Sequence, residues 1–201
     1  MNRVARYSLL GGLGIAWAIG VLYRDPRRLV DSLLRLVHPP VDSEAAAQVA
    51  AALPADYEAI ERFVSGHVPH RPAWAVYGLP WYFPTVPEVL SDRAGDCQAR
   101  AVLMASILEA KGMPYTFRYS FSHVWVDYPG KKVTAVEDPA TSFVSDRGAG
   151  WAAALPRKVP LRHIVKARVA YHWTPMPLRQ KVLLVAGVVL AAGLSRRLLR
   201  R

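Results

Sequence analysis

Residues Gly95 to Pro114 read GDCQARAVLMASILEAKGMP and hold the only cysteine of the chain, Cys97. The stretch predicts a helix that begins at Asp96 or Cys97 and ends at Gly112, a left-handed cap position, with Pro114 shortly beyond. Ala101, Val102, Met104, Ala105 and Leu108 recur at helical spacing and form one apolar stripe. Cys97 falls in the first turn, where unpaired N–H groups and the positive end of the helix dipole favour an anion. A thiol so placed can have its pKa drawn from about 8.5 to between about 3.5 and 7.5. Free cysteine is also a common buried packing residue, so position alone leaves both readings open.

A thiol nucleophile needs a base, and the base needs an acceptor that orients it. His123 stands inside a strand-like run, Tyr115 to Tyr128 (YTFRYSFSHVWVDY), and Asp138 follows a second such run, Lys132 to Glu137 (KVTAVE). If the four residues 129 to 132 form a hairpin loop, Tyr128 pairs with Val133 and His123 lies opposite Asp138. Side chains so paired have Cβ atoms about 4.5–5.5 Å apart, within reach of an imidazole–carboxylate hydrogen bond. If Pro129-Gly130 is instead a two-residue turn, His123 faces Val136. Arg118, on the first run, suits a solvated strand face better than substrate binding.

Upstream, Asp42 or Ser43 can cap a helix through EAAAQVAAAL. Asp56 to Val64 predicts a second helix ending near Gly66. A proline- and aromatic-rich stretch, Val68 to Pro87, leads from there toward the cysteine. His67 and His70 are three apart, but Pro69 between them favours a loop over a metal-ligand pair. Helices first and strands second give the α+β class. Nothing in the chain calls for a cofactor.

The 201 residues allow one domain with extra segments, and 52% hydrophobic residues is more apolar than a typical soluble domain. One cysteine excludes an internal disulfide. The net charge of +11 is concentrated at the ends, where Arg3, Arg6, Arg196, Arg197, Arg200 and Arg201 lie. The remaining 20 basic residues face 15 acidic ones, a modest excess, and no nucleic-acid-binding motif is present. Basic clusters beside apolar runs are instead the mark of membrane anchors.

Tyr7 to Tyr23 gives 17 uncharged residues, a helix of about 26 Å against a hydrocarbon core of about 30 Å. Ala16-Trp17-Ala18 only loosely fits a signal-peptidase site, so a retained anchor is the better reading. Val182 to Ser195 gives 14, in the range where an interfacial segment competes with a full span. The organisation is therefore an anchor over 1–28, a domain over 29–174 and a second hydrophobic segment with a basic tail over 175–201. Two spans would put both termini on one side. The arginine tail favours the cytoplasm for them, with the domain outside, against the opposing pull of Arg24, Arg27 and Arg28.

Taken together, the residues resemble the transglutaminase-like branch of the papain-like cysteine enzymes. The family pattern is a G-x-C at a helix start, a G-[IM]-P at the helix end, an H-x-W strand and a D-P after the next strand. Here these are Gly95-Asp96-Cys97, Gly112-Met113-Pro114, His123-Val124-Trp125 and Asp138-Pro139, in order, within roughly 84 to 140. The resemblance implies a Cys-bearing helix packed on an antiparallel sheet, with Cys97 as nucleophile, His123 as base and acid, and Asp138 orienting His123. It implies a peptide or protein amide substrate and a thioester passed to water or to an amine. The Cys97 N–H, with Trp81 or Tyr82, is the candidate oxyanion donor set. Asp96 departs from the neutral residue many members carry there; it suits a helix cap, though its charge opposes a lowered thiol pKa.

Overall fold

The computed structural model describes residues 3–146, 151–153 and 161–199. Helices come first: α1 (Arg3–Leu22), α2 (Arg27–Val37), α3 (Ala47–Ala51), α4 (Tyr57–His67), α5 (Ala73–Val76), α6 (Val86–Asp92) and α7 (Cys97–Ala110). The strands β1 (Thr116–Tyr119), β2 (Val124–Asp127), β3 (Val144–Asp146) and β4 (Trp151–Ala153) follow, with a 3-10 turn at Pro139–Thr141. Last come α8 (Leu161–Arg168), a π-helical turn at Val169–Trp173 and α9 (Leu178–Leu199). Among the described residues the strands form one antiparallel sheet in the order β2-β1-β3-β4. The chain is thus mostly helical with a small antiparallel sheet, as its order of helical and strand-like segments predicts.

The core is built around α7. Every residue from Ala101 to Leu108 is buried, so this helix has no solvent face over two turns. The expectation of a single apolar stripe was too narrow, because α3, α4 and α6 cover one side and β2 the other. Even Ser106 is enclosed, its hydroxyl accepting the Asp42 N–H at 2.9 Å. Both ends are set locally. Asp96 caps the first turn by accepting the Gln98 and Ala99 N–H groups, and Gly112 takes φ +63° to turn the chain out. Asp56 caps α4 in the same way through Ala59. The alanine-rich helix is shorter than expected: α3 starts only at Ala47, while Asp42 holds the preceding turn through the Ala45 N–H.

Two strand expectations are corrected. The run 115–128 is a tight hairpin, with Thr116 opposite Asp127 and Tyr119 opposite Val124. Ser120 closes it by accepting the His123 N–H at 3.1 Å. The run 132–137 forms no strand: most of it is exposed, and Glu137 N–H is held by Thr134 Oγ1. Neither hairpin register proposed for His123 therefore exists. Arg118 pairs with Asp127 at 2.6 Å across β1 and β2, away from the cysteine.

At the ends, α1 and α9 pack side by side. Trp17 Nε1 donates to the Leu183 carbonyl at 3.1 Å. The indole lies over Gly187, where a Cβ would stand 2.3 Å from Nε1. Leu178–Arg196 is long and apolar enough by itself to cross a membrane. Tyr7–Leu22 meets that test only together with Arg27–Val37, from which it is bent by 93°. The C-terminal segment, shorter in uncharged residues, is the stronger candidate span because its helix runs on through Lys181 and Arg196.

Candidate active site

Gly95 explains how the cysteine reaches its place. The segment at His70 runs parallel to Gly95, joined by Arg71 N–H to Gly95 O and Gly95 N–H to Pro69 O. A Cβ on Gly95 would meet the Ala99 Cβ at 2.4 Å, so only glycine permits this approach. Cys97 then emerges at the α7 N-terminus against the start of β2. Its sulfur faces the backbone N–H of Val124, the residue after His123, as well as its own and that of Gln98.

Cys97 and His123 lie between two cavities, both of which they line together with His70 and Val124. The larger, about 340 Å³, is bounded also by Leu36, Trp81 and Tyr171. The smaller, about 90 Å³, reaches Glu137, Lys131 and Trp125. On that inner side His123 Nε2 stands 3.3 Å from Glu137 Oε1. Lys131 bridges Glu137 and Glu61 at 3.2 and 2.7 Å, and Tyr128 donates to Glu61 at 2.6 Å. The buried Trp125 ring stacks beside the imidazole, 6.0 Å between centroids.

The carboxylate on His123 is thus Glu137, one residue before the expected Asp138. Asp138 caps the 3-10 turn, accepting the Ala140 N–H at 2.8 Å. Burial alone would raise the Glu137 pKa, but the hydrogen bond with His123 and the Lys131 charge outweigh it and hold the carboxyl below its usual range. An ionised carboxylate only accepts, so Nε2 carries the proton and the lone pair of neutral His123 is on Nδ1.

Cys97 keeps some exposure at the cleft, yet its sulfur is closely surrounded. Burial, and then the Asp96 charge, push the thiol up to about 12. The lowered value expected of a helix N-terminus is therefore overturned: desolvation and an adjacent carboxylate exceed the pull of the dipole. Asp96 is itself buried, which raises its pKa against the hydrogen bonds from Tyr171, Ala99 and Gln98.

Trp81 lines the cleft, as one of the two oxyanion candidates, while Tyr82 does not. The Tyr82 hydroxyl donates to Glu88 at 2.6 Å and accepts from Arg35, inside a separate cluster with Tyr23 and Leu79. Its role as an oxyanion donor is thereby corrected.

No known protein-family model, curated protein or solved structure matches this chain.

The site also contains residues that sequence reasoning passed over. The segment before α9 straps the outer rim of the cleft. Tyr171 donates to Asp96 and accepts the Ala73 N–H, and Arg168 donates to the Phe121 carbonyl in the loop that leads to His123. His172 donates from Nδ1 to Pro80 O at 2.9 Å and accepts from Arg168 on Nε2 at 3.0 Å, so both ring nitrogens are engaged. Burial and the Arg168 charge hold its pKa down. His70 is exposed at the cleft wall, its pKa lowered by partial desolvation and by Arg100. The aromatic run 171–173 was the one local signal for the strap. Among the described residues no group of His, Cys, Asp and Glu is arranged to hold a metal ion.

Proposed function

We propose that this protein is a membrane-anchored cysteine acyl-transfer enzyme of the transglutaminase-like kind, acting on an amide or peptide carbonyl. The observation that carries this reading is the shared cleft wall of Cys97 and His123, with Glu137 on the far nitrogen of the imidazole. Cys97 passes its thiol proton to His123 Nδ1 as the sulfur attacks the carbonyl carbon. The oxyanion that forms is met by the Cys97 N–H at the helix start, with the Trp81 indole as the second candidate donor. The C–N bond then breaks, and the leaving amine takes the proton from the imidazolium. The remaining thioester passes its acyl group to water, giving hydrolysis, or to a second amine, giving a cross-link.

A thiol held near 12 calls for a proton transfer to His123 that is concerted with attack on the carbonyl. The same observation favours a second reading, a non-catalytic module that binds peptide amides at the membrane without turning them over. Incubating a peptide and amide library with the wild-type protein and Cys97→Ala, and reading products by mass spectrometry, separates the two. Products that vanish with Cys97→Ala support the enzyme; binding without Cys97-dependent products supports the module.

A further inference from the structure

The eleven residues of α2 sort by side. Leu29, Ser32, Arg35 and Leu36 turn toward the domain: Ser32 accepts the Phe83 N–H at 3.2 Å, and Arg35 donates to Phe83 O at 2.9 Å. Val30, Leu33, Leu34 and Val37 are 54%, 49%, 60% and 47% exposed. At about 100° per residue these four fall within an arc of about 100°, centred on the side away from Ser32 and Leu36. An aliphatic stripe fully in water is unfavourable by about 25 cal/mol per Å², and here the domain leaves it uncovered.

What covers it follows from its position. Four residues separate the helix from the end of α1, from which it turns by 93°. With α1 packed along α9 and carried into the bilayer beside it, a chain that leaves α1 and turns through a right angle runs along the membrane surface. Arg27, Arg28, Asp31 and Arg35 exclude α2 as the buried second half of a broken span, since each charge at mid-bilayer costs about 2.5–3.5 kcal/mol on insertion scales. Arg24, Arg27 and Arg28 are exposed at the bend, at the height where cations meet lipid phosphates.

We propose that α2 lies in the bilayer interface, with Val30, Leu33, Leu34 and Val37 dipped into the acyl boundary and the opposite face carrying the domain. Leu36, on the domain side, also lines the cleft. The interfacial helix therefore holds the Cys97 cleft against the membrane surface and fits it to substrates anchored there. The proposal rests on the anchoring of the chain and is independent of whether Cys97 is catalytic.

The test uses the full chain in vesicles of phosphatidylcholine and phosphatidylglycerol. Cys97, the only native thiol, is replaced by serine, and single cysteines at 30, 31, 33, 34 and 37 carry a nitroxide. Collision of each label with oxygen reports lipid, and collision with a water-soluble nickel chelate reports water. Oxygen contact exceeding nickel contact at 30, 33, 34 and 37, at one shallow depth and reversed at 31, is the expected result. Nickel access at all five sites, protection from both reagents as under a protein partner, or depth that increases steadily along the helix would each overturn it. A label at Leu13, in α1, reports insertion separately from the placement of α2.

Discussion

Replacing Asp96 by asparagine isolates the charge that, after burial, holds the thiol protonated. The shift from 9.0 to about 12 leaves about a thousandfold less thiolate at pH 8 than an ordinary cysteine has. Asparagine keeps the shape and can still accept the Gln98 and Ala99 N–H groups, but it removes one buried charge beside the sulfur. For an assumed separation of about 6 Å and an effective dielectric constant of about 20, one unit charge is worth about 2.8 kcal/mol, about two pKa units. The Asp96→Asn thiol should therefore titrate about two units lower. Its alkylation at pH 8 should rise about tenfold rather than a hundredfold, because a less basic thiolate is also the weaker nucleophile. The assay is iodoacetamide consumption from pH 6 to 12, with circular dichroism confirming the fold. Tyr171→Phe is the companion variant: it loosens the strap while leaving the charge, and should not lower the midpoint. An unchanged midpoint in Asp96→Asn refutes the electrostatic account. Equal drops in both variants assign the effect to strap loosening instead.

The orienting carboxylate separates two adjacent residues. Glu137→Gln should reduce Cys97-dependent product formation by about 10²-fold or more, while Asp138→Asn should leave turnover nearly intact, both read by mass spectrometry on a reactive amide. The Glu137 carboxyl, held below 4.5, contributes stability that is fully present above about pH 4.5 and is lost as pH falls through its folded value. Thermal melts from pH 7 downward should show that loss, and Glu137→Gln should flatten it. Gly95→Ala places a Cβ 2.4 Å from the Ala99 Cβ and should destabilise by about 1–3 kcal/mol, seen as a lowered Tm. Gly187→Ala should lower the Tm of the detergent-solubilised chain by displacing the Trp17 indole. Gly193→Ala, which meets nothing within 4 Å, should raise it by the gain in helix propensity.

The α7 helix was legible because its determinants are local: the Asp96 cap, the Gly112 turn and an unbroken apolar run all lie within twenty residues. The motif pointed to Cys97 and His123 as members of one site, and both line the same two cavities. The carboxylate partner of His123 was misassigned because strand period was credited to residues 132–137, and in a strand a one-residue slip moves every side chain to the other face. With no ladder there, a turn closed by Thr134 brings Glu137 to the imidazole instead. The strap left only the aromatic run 171–173 as a local trace, and its contacts were not legible. Tyr171 reaches Asp96 across 75 residues, and no local periodicity encodes a contact of that range. The raised thiol pKa had the same cause, since helix position is written in the sequence but enclosure by β2 and the strap is not.

The domain is joined to the α1–α9 pair at two places, Leu22 and Leu178, and the second junction lies five residues from the strap on the cleft. A body fastened at one point can swivel; fastened at two, it keeps a fixed bearing toward the plane beneath it. Were the α1–α9 pair inserted as proposed, encounters with whatever the cleft binds would become a search over an area instead of a volume. Selectivity would then be set first by where a molecule resides and only afterwards by the shape of the cleft.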